Sequence, residues 1–229
     1  MNRIFFDLIG VCLFVYIDDL VIFSDSVESH IIHLNKVFSI LKENRLKINL
    51  EKCTFFKTKV VLLGHVLSTE GISPIPDKVK VILNWLPPKN HTQLKSFLGA
   101  IGYYRKFIKN FAQIANPLFN LLKKDVPYVW SNDCNASFER LKRSLITAPI
   151  LTPPDYTKPF IIRTDASRSG LGGVLLQTNE NGIEVPIYFE SRSLSPSECN
   201  YSVTDLEGKA IFHCVKKFNR IFLAVNLIL

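Results

Sequence analysis

The sequence predicts an α+β protein of more than one domain. Short β-type runs lie towards both ends of the chain, and amphipathic helical patterns fill its middle. The 229 residues suffice for one large or two modest domains, at roughly 100–200 residues each. Apolar residues make up 47% of the chain and charged residues 21%, which is the balance of a folded protein rather than a disordered one.

The first predicted elements are two short strands. The runs Val11–Ile17 and Leu20–Phe23 are apolar and β-rich, and they enclose Asp18 and Asp19, so we expect two strands joined by a tight acidic turn. Apolar residues within Ser29–Leu46 recur at helical spacing and predict an amphipathic helix. Two further strands are expected, at Leu46–Leu50 and Lys59–Leu67.

Helices are expected through the middle of the chain. Prolines bracket a short helix at Asp77–Leu86, and Thr92 is the expected N-cap of the next helix, whose apolar stripe continues to Ile108. A further helix is expected around Ala136–Leu145, before a tether, Pro149–Pro159, that contains several prolines.

Strands return after the tether. A predicted strand, Phe160–Thr164, ends at Asp165 and is followed by a Gly-rich turn. The remaining predicted elements are two strands and a final helix, at Val174–Gln177, Val185–Ser191 and about Thr204–Phe222.

Positive charge is concentrated in the middle of the chain. The net charge is +8, but the stretch from Lys36 to Lys124 holds 16 Lys and Arg against four Asp and Glu, while the remainder holds 12 against 16. Such a stretch suits a polyanionic partner, although charge by itself favours a lysine-rich solvated surface. Charge alone leaves both interpretations open.

The cysteines and the hydropathy pattern indicate an intracellular protein, which we expect in the cytoplasm. Five scattered cysteines without metal-ligand spacing are typical of reduced thiols. The apolar run Leu8–Phe23 contains Asp18 and Asp19 at its centre, which argues against a membrane span, and Ile221–Leu229 is too short for one. We therefore expect neither a membrane partner nor a signal peptide.

The paired aspartates are the first candidate site. Adjacent carboxylates between apolar strands repel each other and lose hydration near a core unless a cation neutralises them. Mg²⁺ accepts hard oxygen ligands from one or two carboxylates together with substrate phosphates, and two such ions can promote phosphoryl transfer. An ordinary exposed turn is the alternative that the pair alone leaves open.

The surrounding residues resemble one family in order along nearly the whole chain. YIDDLVIFS (Tyr16–Ser24) resembles the Tyr-x-Asp-Asp hairpin of reverse transcriptases, and the preceding MNRIFFDLIG resembles the helix before that hairpin in gypsy-type long-terminal-repeat retrotransposons. Three later segments are similar to further palm, thumb and connection elements of this family: LKINLEKC, LLGHVLS and FLGAIGYYRKFIKNFAQIANPL (Leu46–Cys53, Leu62–Ser68 and Phe97–Leu118).

The resemblance implies an RNA-directed DNA polymerase that uses Mg²⁺ and deoxynucleoside triphosphates. Asp18 and Asp19 match the family's second and third catalytic carboxylates, and Tyr16 would lie beside the primer end. LLGHVLS would be the primer grip, so Gly64 and His65 are expected to contact nucleic acid. The basic stretch would bind the template–primer, with phosphate contacts expected from Lys95, Arg105, Lys106 and Lys109.

A second carboxylate site is implied near the end of the chain. PFIIRTDASRSGLGGVLLQ (Pro159–Gln177) and SRSLSPSECNYSVTDLEGKA (Ser191–Ala210) resemble a retroelement ribonuclease H domain, which cuts RNA in RNA–DNA hybrids. Asp165 matches its first Mg²⁺ ligand and Glu207 its second, while Asp205 competes with Glu207 on chemistry alone. Gly208 departs from the family pattern and is expected to weaken its helix by about 1 kcal/mol relative to Ala.

The resemblance divides the chain into four expected parts. These are the second half of a polymerase palm, a helical thumb and connection, a tether, and the start of a ribonuclease H-like domain, at residues 1–70, 71–125, 126–158 and 159–229. The family's first polymerase aspartate and third ribonuclease H aspartate have no counterpart in the sequence. We therefore expect a fragment that is inactive by itself. The alternative is a non-catalytic relic that at most binds nucleic acid.

Overall fold

The computed structural model describes residues 1–222 and contains two compact units, Met1–Thr58 and Lys59 onward. Strands and helices are mixed, so the predicted α+β class is confirmed. In chain order the elements are β1 Leu13–Tyr16, β2 Asp19–Ile22, α1 Val27–Glu43, β3 Lys59–Leu62, β4 His65–Ser68, β5 Gly71–Pro74, α2 Pro76–Leu83, α3 His91–Gly102, α4 Phe111–Asn120, α5 Asn132–Ile146, β6 Ile161–Ser167, β7 Gly170–Thr178, β8 Glu184–Arg192 and α6 Val203–Phe222. The end of the chain, where the sequence predicts that a third ribonuclease H ligand is missing, lies outside the described residues.

The first unit is a β-hairpin packed on a helix. Strands β1 and β2 pair antiparallel, and their inner face joins α1 in a small core of Phe5, Leu13, Val37 and Leu41. A capping box between two serines starts α1. The prediction of a strand at Leu46–Leu50 is wrong, because this segment is irregular and leads into a single 3₁₀ turn.

The second unit opens with a three-stranded antiparallel sheet in the order β3-β4-β5. The sequence predicted one strand over Lys59–Leu67, which is wrong, because the run folds back on itself as a β3–β4 hairpin. Leu63 and Gly64 form its two-residue turn with φ values of +46° and +67°. Positive φ at both turn residues is the geometry that matches the twist of the flanking strands.

Helices α2 to α5 share the largest core among the described residues, which includes the fully buried Phe97, Phe138 and Leu141. Both predicted bounds of the helix between Thr92 and Ile108 are wrong. Its N-cap is Asn90, whose side chain accepts a hydrogen bond from the Gln93 amide, and α3 ends at Gly102. A 3₁₀ turn then leads into α4, which the sequence did not predict as a separate helix.

A second antiparallel sheet, β6-β7-β8, is packed against α6. The Gly-rich segment predicted as a turn is instead part of β7. A Cβ atom on Gly172 would lie 2.7 Å from the Asn110 side chain, and one on Gly173 would meet Cys214 of α6. The glycines therefore allow close packing on the sheet rather than a change of chain direction.

No helix within residues 1–222 combines the length and the apolar character that crossing a membrane requires.

Candidate nucleic-acid and metal sites

The acidic hairpin forms as the sequence predicts, with strain at its tip. Tyr16 pairs with Asp19, which leaves Ile17 and Asp18 as the two turn residues. Ile17 has φ +54° and is 73% exposed. A β-branched residue in the left-handed region costs on the order of 1–3 kcal/mol, and such strain is concentrated at functional sites.

Asp18 in the turn and Asp19 at the start of β2 are both exposed to solvent. The expectation that Asp18 and Asp19 lose hydration near a core is therefore wrong, although their adjacency still brings two negative charges together. Their donor set fits a hard divalent cation, because exposed carboxylate oxygens leave room for water and phosphate oxygens to complete the coordination. Within residues 1–222, no three His, Cys, Asp or Glu side chains are grouped to hold a metal ion.

The outer face of the hairpin is aromatic. The Phe14 and Phe23 rings stack with centroids 4.8 Å apart, and Tyr16 on the same strand is 50% exposed. Simple core packing does not account for Tyr16, because half of its surface faces solvent. The exposed ring can contact a ligand held at the hairpin.

A polar cluster that sequence reasoning missed joins the end of β2 to the start of α1. Ser24 Oγ lies 3.0 Å from His30 Nδ1 and 2.8 Å from His33 Nδ1. The i, i+3 spacing of the two histidines could have indicated a shared helix face. This cluster fixes the chain just after the acidic hairpin.

Aromatic residues of the same unit hold the β3–β4 turn and His65, the first residue of β4. The Tyr103 hydroxyl donates to the Leu63 carbonyl, and the Tyr103 ring stacks on His65 with centroids 5.2 Å apart. The His65 ring also packs near the Tyr104 and Phe107 rings, and its Nδ1 lies 2.6 Å from the Leu63 carbonyl oxygen. Burial, and after it the positive charge of Lys106, lower the pKa of His65, so the ring is neutral near pH 7.

The four basic residues predicted to contact phosphates differ in their surroundings. Lys95 and Lys109 are exposed. Lys106 is partly buried with its ammonium 5.2 Å from the Phe107 ring centroid, and burial lowers its pKa. Arg105 donates to the Ser191 carbonyl and lies 3.6 Å from Glu190. Exposure therefore favours Lys95 and Lys109, whereas Arg105 is engaged within the protein.

Glu190 is a buried carboxylate that sequence reasoning missed. It is 5% exposed and lies within 4 Å of Arg105, His213 and Lys217. Burial alone would raise the pKa of Glu190, but the His213 hydrogen bond and the charges of Lys217 and Arg105 outweigh it and lower the pKa below its ordinary value. A lone Glu within the apolar run PIYFES was the available signal. His213 of α6 contacts this carboxylate through Nε2, at 3.3 Å.

The second predicted carboxylate site lies on β6 and α6. Asp165 was expected at a strand end, but β6 continues two residues further to Ser167, with Asp165 exposed and opposite Gly172. Glu207 is partly exposed in the second turn of α6, and α6 packs against β6. Asp205 accepts a hydrogen bond from the Ser202 hydroxyl at 2.7 Å, so this competing candidate is engaged at the start of the helix.

Comparisons with known families divide the chain into two matched segments. Residues 1–67 match the family described as reverse transcriptase (RNA-dependent DNA polymerase). Residues 130–229 match the family described as an RNase H-like domain found in reverse transcriptase.

Curated relatives match almost the whole chain. The retrovirus-related Pol polyprotein from transposon 297 of Drosophila melanogaster is 40% identical over 224 residues, 97% of this chain and 21% of the relative. The transposon Tf2-3 polyprotein of Schizosaccharomyces pombe is 37% identical over 201 residues, 88% of this chain and 15% of the relative. The chain thus spans about a fifth or less of the length of these relatives.

Solved structures show the same fold. A foamy viral protease-reverse transcriptase in complex with double-stranded DNA superposes with a TM-score of 0.86 at 23% identity, over 97% of this chain and 39% of that one. A second foamy viral structure, in complex with an RNA/DNA hybrid, gives a TM-score of 0.83 at 23% identity, over 97% of this chain and 30% of that one.

Proposed function

Because this chain belongs to the reverse transcriptase and ribonuclease H region of retrotransposon Pol polyproteins, we propose that it serves RNA-directed DNA synthesis and the removal of RNA from RNA–DNA hybrids. The observation that supports this proposal best is the acidic hairpin itself. Two adjacent, exposed carboxylates stand at a strained two-residue turn inside the segment that matches the polymerase family.

Asp18 and Asp19 would hold the metal of the polymerase site through their carboxylate oxygens. Mg²⁺, when bound, would neutralise phosphate charge and favour in-line nucleotidyl transfer from a deoxynucleoside triphosphate. Tyr16 would present its half-exposed ring to the primer end. The Ser24 cluster would keep the hairpin in place on α1.

The proposed partner is a template–primer duplex or an RNA–DNA hybrid. Two structures of the foamy viral protease-reverse transcriptase, which has the same fold, are in complex with double-stranded DNA and with an RNA/DNA hybrid, and they support this choice. Lys95 and Lys109 would contact phosphates directly because both are exposed. Lys106, Gly64 and His65 would contribute mainly by shaping the surface around them, since each packs against neighbouring aromatic residues.

The second proposed activity is ribonuclease H cleavage through Asp165 and Glu207. The match of residues 130–229 to the RNase H-like family supports it. Both carboxylates are at least partly accessible, as ligands for a metal bound to phosphate must be. A complete two-ion site would need further ligands beyond this pair.

A chimera tests the polymerase assignment. Residues 1–67 of this chain would replace the matching segment of the transposon 297 polyprotein, and Mg²⁺-dependent extension of a DNA primer on an RNA template would be measured. We expect extension by the chimera and only background with Asp18→Asn or Asp19→Asn. Asp25→Asn is the matched control, because Asp25 is an exposed aspartate of the same unit. Equal loss in all three variants would reject the assignment.

A parallel chimera carrying residues 130–229 tests the ribonuclease assignment. Cleavage of RNA in a hybrid should be lost with Asp165→Asn and with Glu207→Gln. Asp205→Asn should retain cleavage, because Asp205 acts at the helix start. Loss with Asp205→Asn and retention with Glu207→Gln would reverse the assignment.

We propose that the 229-residue chain alone is inactive. The observation that supports this also favours a second candidate function, which is nucleic-acid binding without catalysis. Within residues 1–222 neither carboxylate pair is completed by a third acidic, His or Cys ligand. Primer extension by the isolated chain that is Mg²⁺-dependent and disappears in Asp18→Asn would disprove its inactivity. Uninterrupted coding sequence on both sides of the gene segment would favour the enzyme. Stop codons or frameshifts there would favour the relic that only binds nucleic acid.

A further inference from the structure

A cleft of about 430 Å³ in the second unit combines positive charge with an apolar lining. Lys109 and Asn110, which precede α4, contribute to it, as do Arg140 and Ser144 of α5. Apolar lining comes from residues such as Phe189 of β8. Among the described residues that line the cleft there is no Asp or Glu, so their charge is entirely positive.

The two cations of the cleft are available to a ligand. Among the described residues, neither Lys109 nor Arg140 has an ion-pair partner, whereas Arg105 pairs with Glu190 and Lys142 with Glu139. Arg140 belongs to a part of the chain outside the basic stretch that the sequence indicated.

Neutral hydrogen-bonding groups accompany the cations. Asn110 has a left-handed backbone with φ +56°, and its side chain makes no capping bond to α4. Its side chain packs close to Gly172 of β7 and also lines the cleft, as does Ser144. Cations with neutral donors and no carboxylate form a set that recognises the oxygens of a phosphate.

We propose that this cleft binds a phosphate of the nucleic-acid backbone, with Lys109 and Arg140 as its cations. The inference rests on the proposed nucleic-acid partner and adds α5 to the surface that contacts it. The apolar lining contacts the sugar next to the bound phosphate, and the arginine donates hydrogen bonds to two phosphate oxygens. The contact is independent of base sequence, because it involves the backbone alone.

Fluorescence anisotropy with the 229-residue chain and a labelled RNA–DNA hybrid tests the proposal. Arg140→Ala should weaken binding about threefold or more near physiological salt and reduce the slope of log K against log salt by about one. Arg143→Ala is the matched control: it removes the same charge from an exposed position on the same helix, outside the cleft lining. Its effect should stay below that of Arg140→Ala, and Arg140→Lys should recover part of the affinity.

The outcomes separate this inference from the proposed function. If the native chain binds the hybrid and both Arg140→Ala and Arg143→Ala weaken this binding equally, the phosphate site in the cleft is rejected. The proposed nucleic-acid partner is then retained. A native chain that binds no hybrid overturns the proposed partner itself. Displacement of the hybrid by polyglutamate as readily as by unlabelled hybrid overturns the phosphate assignment in favour of an acidic peptide.

Discussion

The Tyr103 ring occupies the space that a Cβ atom on Gly64 would need. Such an atom would lie 2.5 Å from the tyrosine hydroxyl oxygen and 2.9 Å from two ring carbons. Gly64 also has φ +67°, a conformation that L residues adopt only at a cost. The tight turn between β3 and β4 and the end of α3 therefore fit together only with glycine at this position.

Gly64→Ala should lower the free energy of unfolding by about 2–4 kcal/mol, since backbone strain and a steric clash add together. Gly182→Ala is the matched control, because Gly182 has φ +75° but nothing within 4 Å of its added Cβ. It should cost only about 1 kcal/mol. Urea denaturation of both variants measures the difference, and equal losses would mean that Tyr103 moves aside.

Arg105→Ala should destabilise the protein, because it removes one of the cations that compensate the buried Glu190 carboxylate. We expect a loss of about 1–3 kcal/mol in denaturant unfolding. Lys109→Ala, which removes an exposed cation that has no ion-pair partner within residues 1–222, should change stability by less than about 0.5 kcal/mol. An Arg105→Ala protein of unchanged stability but weaker hybrid binding would restore the phosphate role predicted from the sequence.

Glu198 should make stability depend on pH in the acid range. Arg192 forms two hydrogen bonds to this buried carboxylate at 2.6 and 2.7 Å, and they contribute to a pKa of about 2. Because the folded pKa lies below the unfolded value of about 4.3, the stabilisation is complete above that value and is lost as pH falls through 2.

Glu198→Gln should therefore reduce the free energy of unfolding by about 2 kcal/mol at pH 7. The gap between native and variant proteins should narrow steadily from about pH 4.3 down to pH 2. Thermal or urea unfolding across this range measures the gap. A constant gap at all pH values would show that the variant loses packing rather than charge.

Gly208→Ala should stabilise the chain. Gly208 is an exposed interior residue of α6, and an added Cβ would have nothing within 4 Å. The gain should be about 0.5–1 kcal/mol, because alanine loses less backbone entropy in a helix. Gly99→Ala in α3, which is equally open, should give a similar gain. A loss of stability in Gly208→Ala alone would show that this position needs glycine for another reason.

Local patterns in the sequence were sufficient for several elements. The acidic hairpin, the amphipathic α1 and the final helix α6 were predicted close to their observed bounds. Their signals are contained in short windows, since alternation or helical periodicity within about 20 residues defines each one. The α+β class and the likeness to reverse transcriptases followed from the same local information.

Contacts between residues far apart in the sequence decided two features that local patterns could not predict, the packing of the β3–β4 turn and the position of Arg105. The turn at Gly64 depends on Tyr103, 40 residues from the carbonyl that its hydroxyl binds, and Arg105 is drawn to β8 by a carbonyl 86 residues away. A local pattern contains no information about either partner.

The sequence by itself thus determined the α+β class, the acidic hairpin, helices α1 and α6 and the likeness to reverse transcriptases, because periodicity and motif are properties of neighbouring residues. Only the tertiary structure decided which charged groups are free. It pairs Arg105 with the buried Glu190 and leaves Lys109 and Arg140 without ion-pair partners among the described residues. The physical reason is that the cost of burying a charge, and the partner that offsets this cost, are set by whichever elements fold together around it.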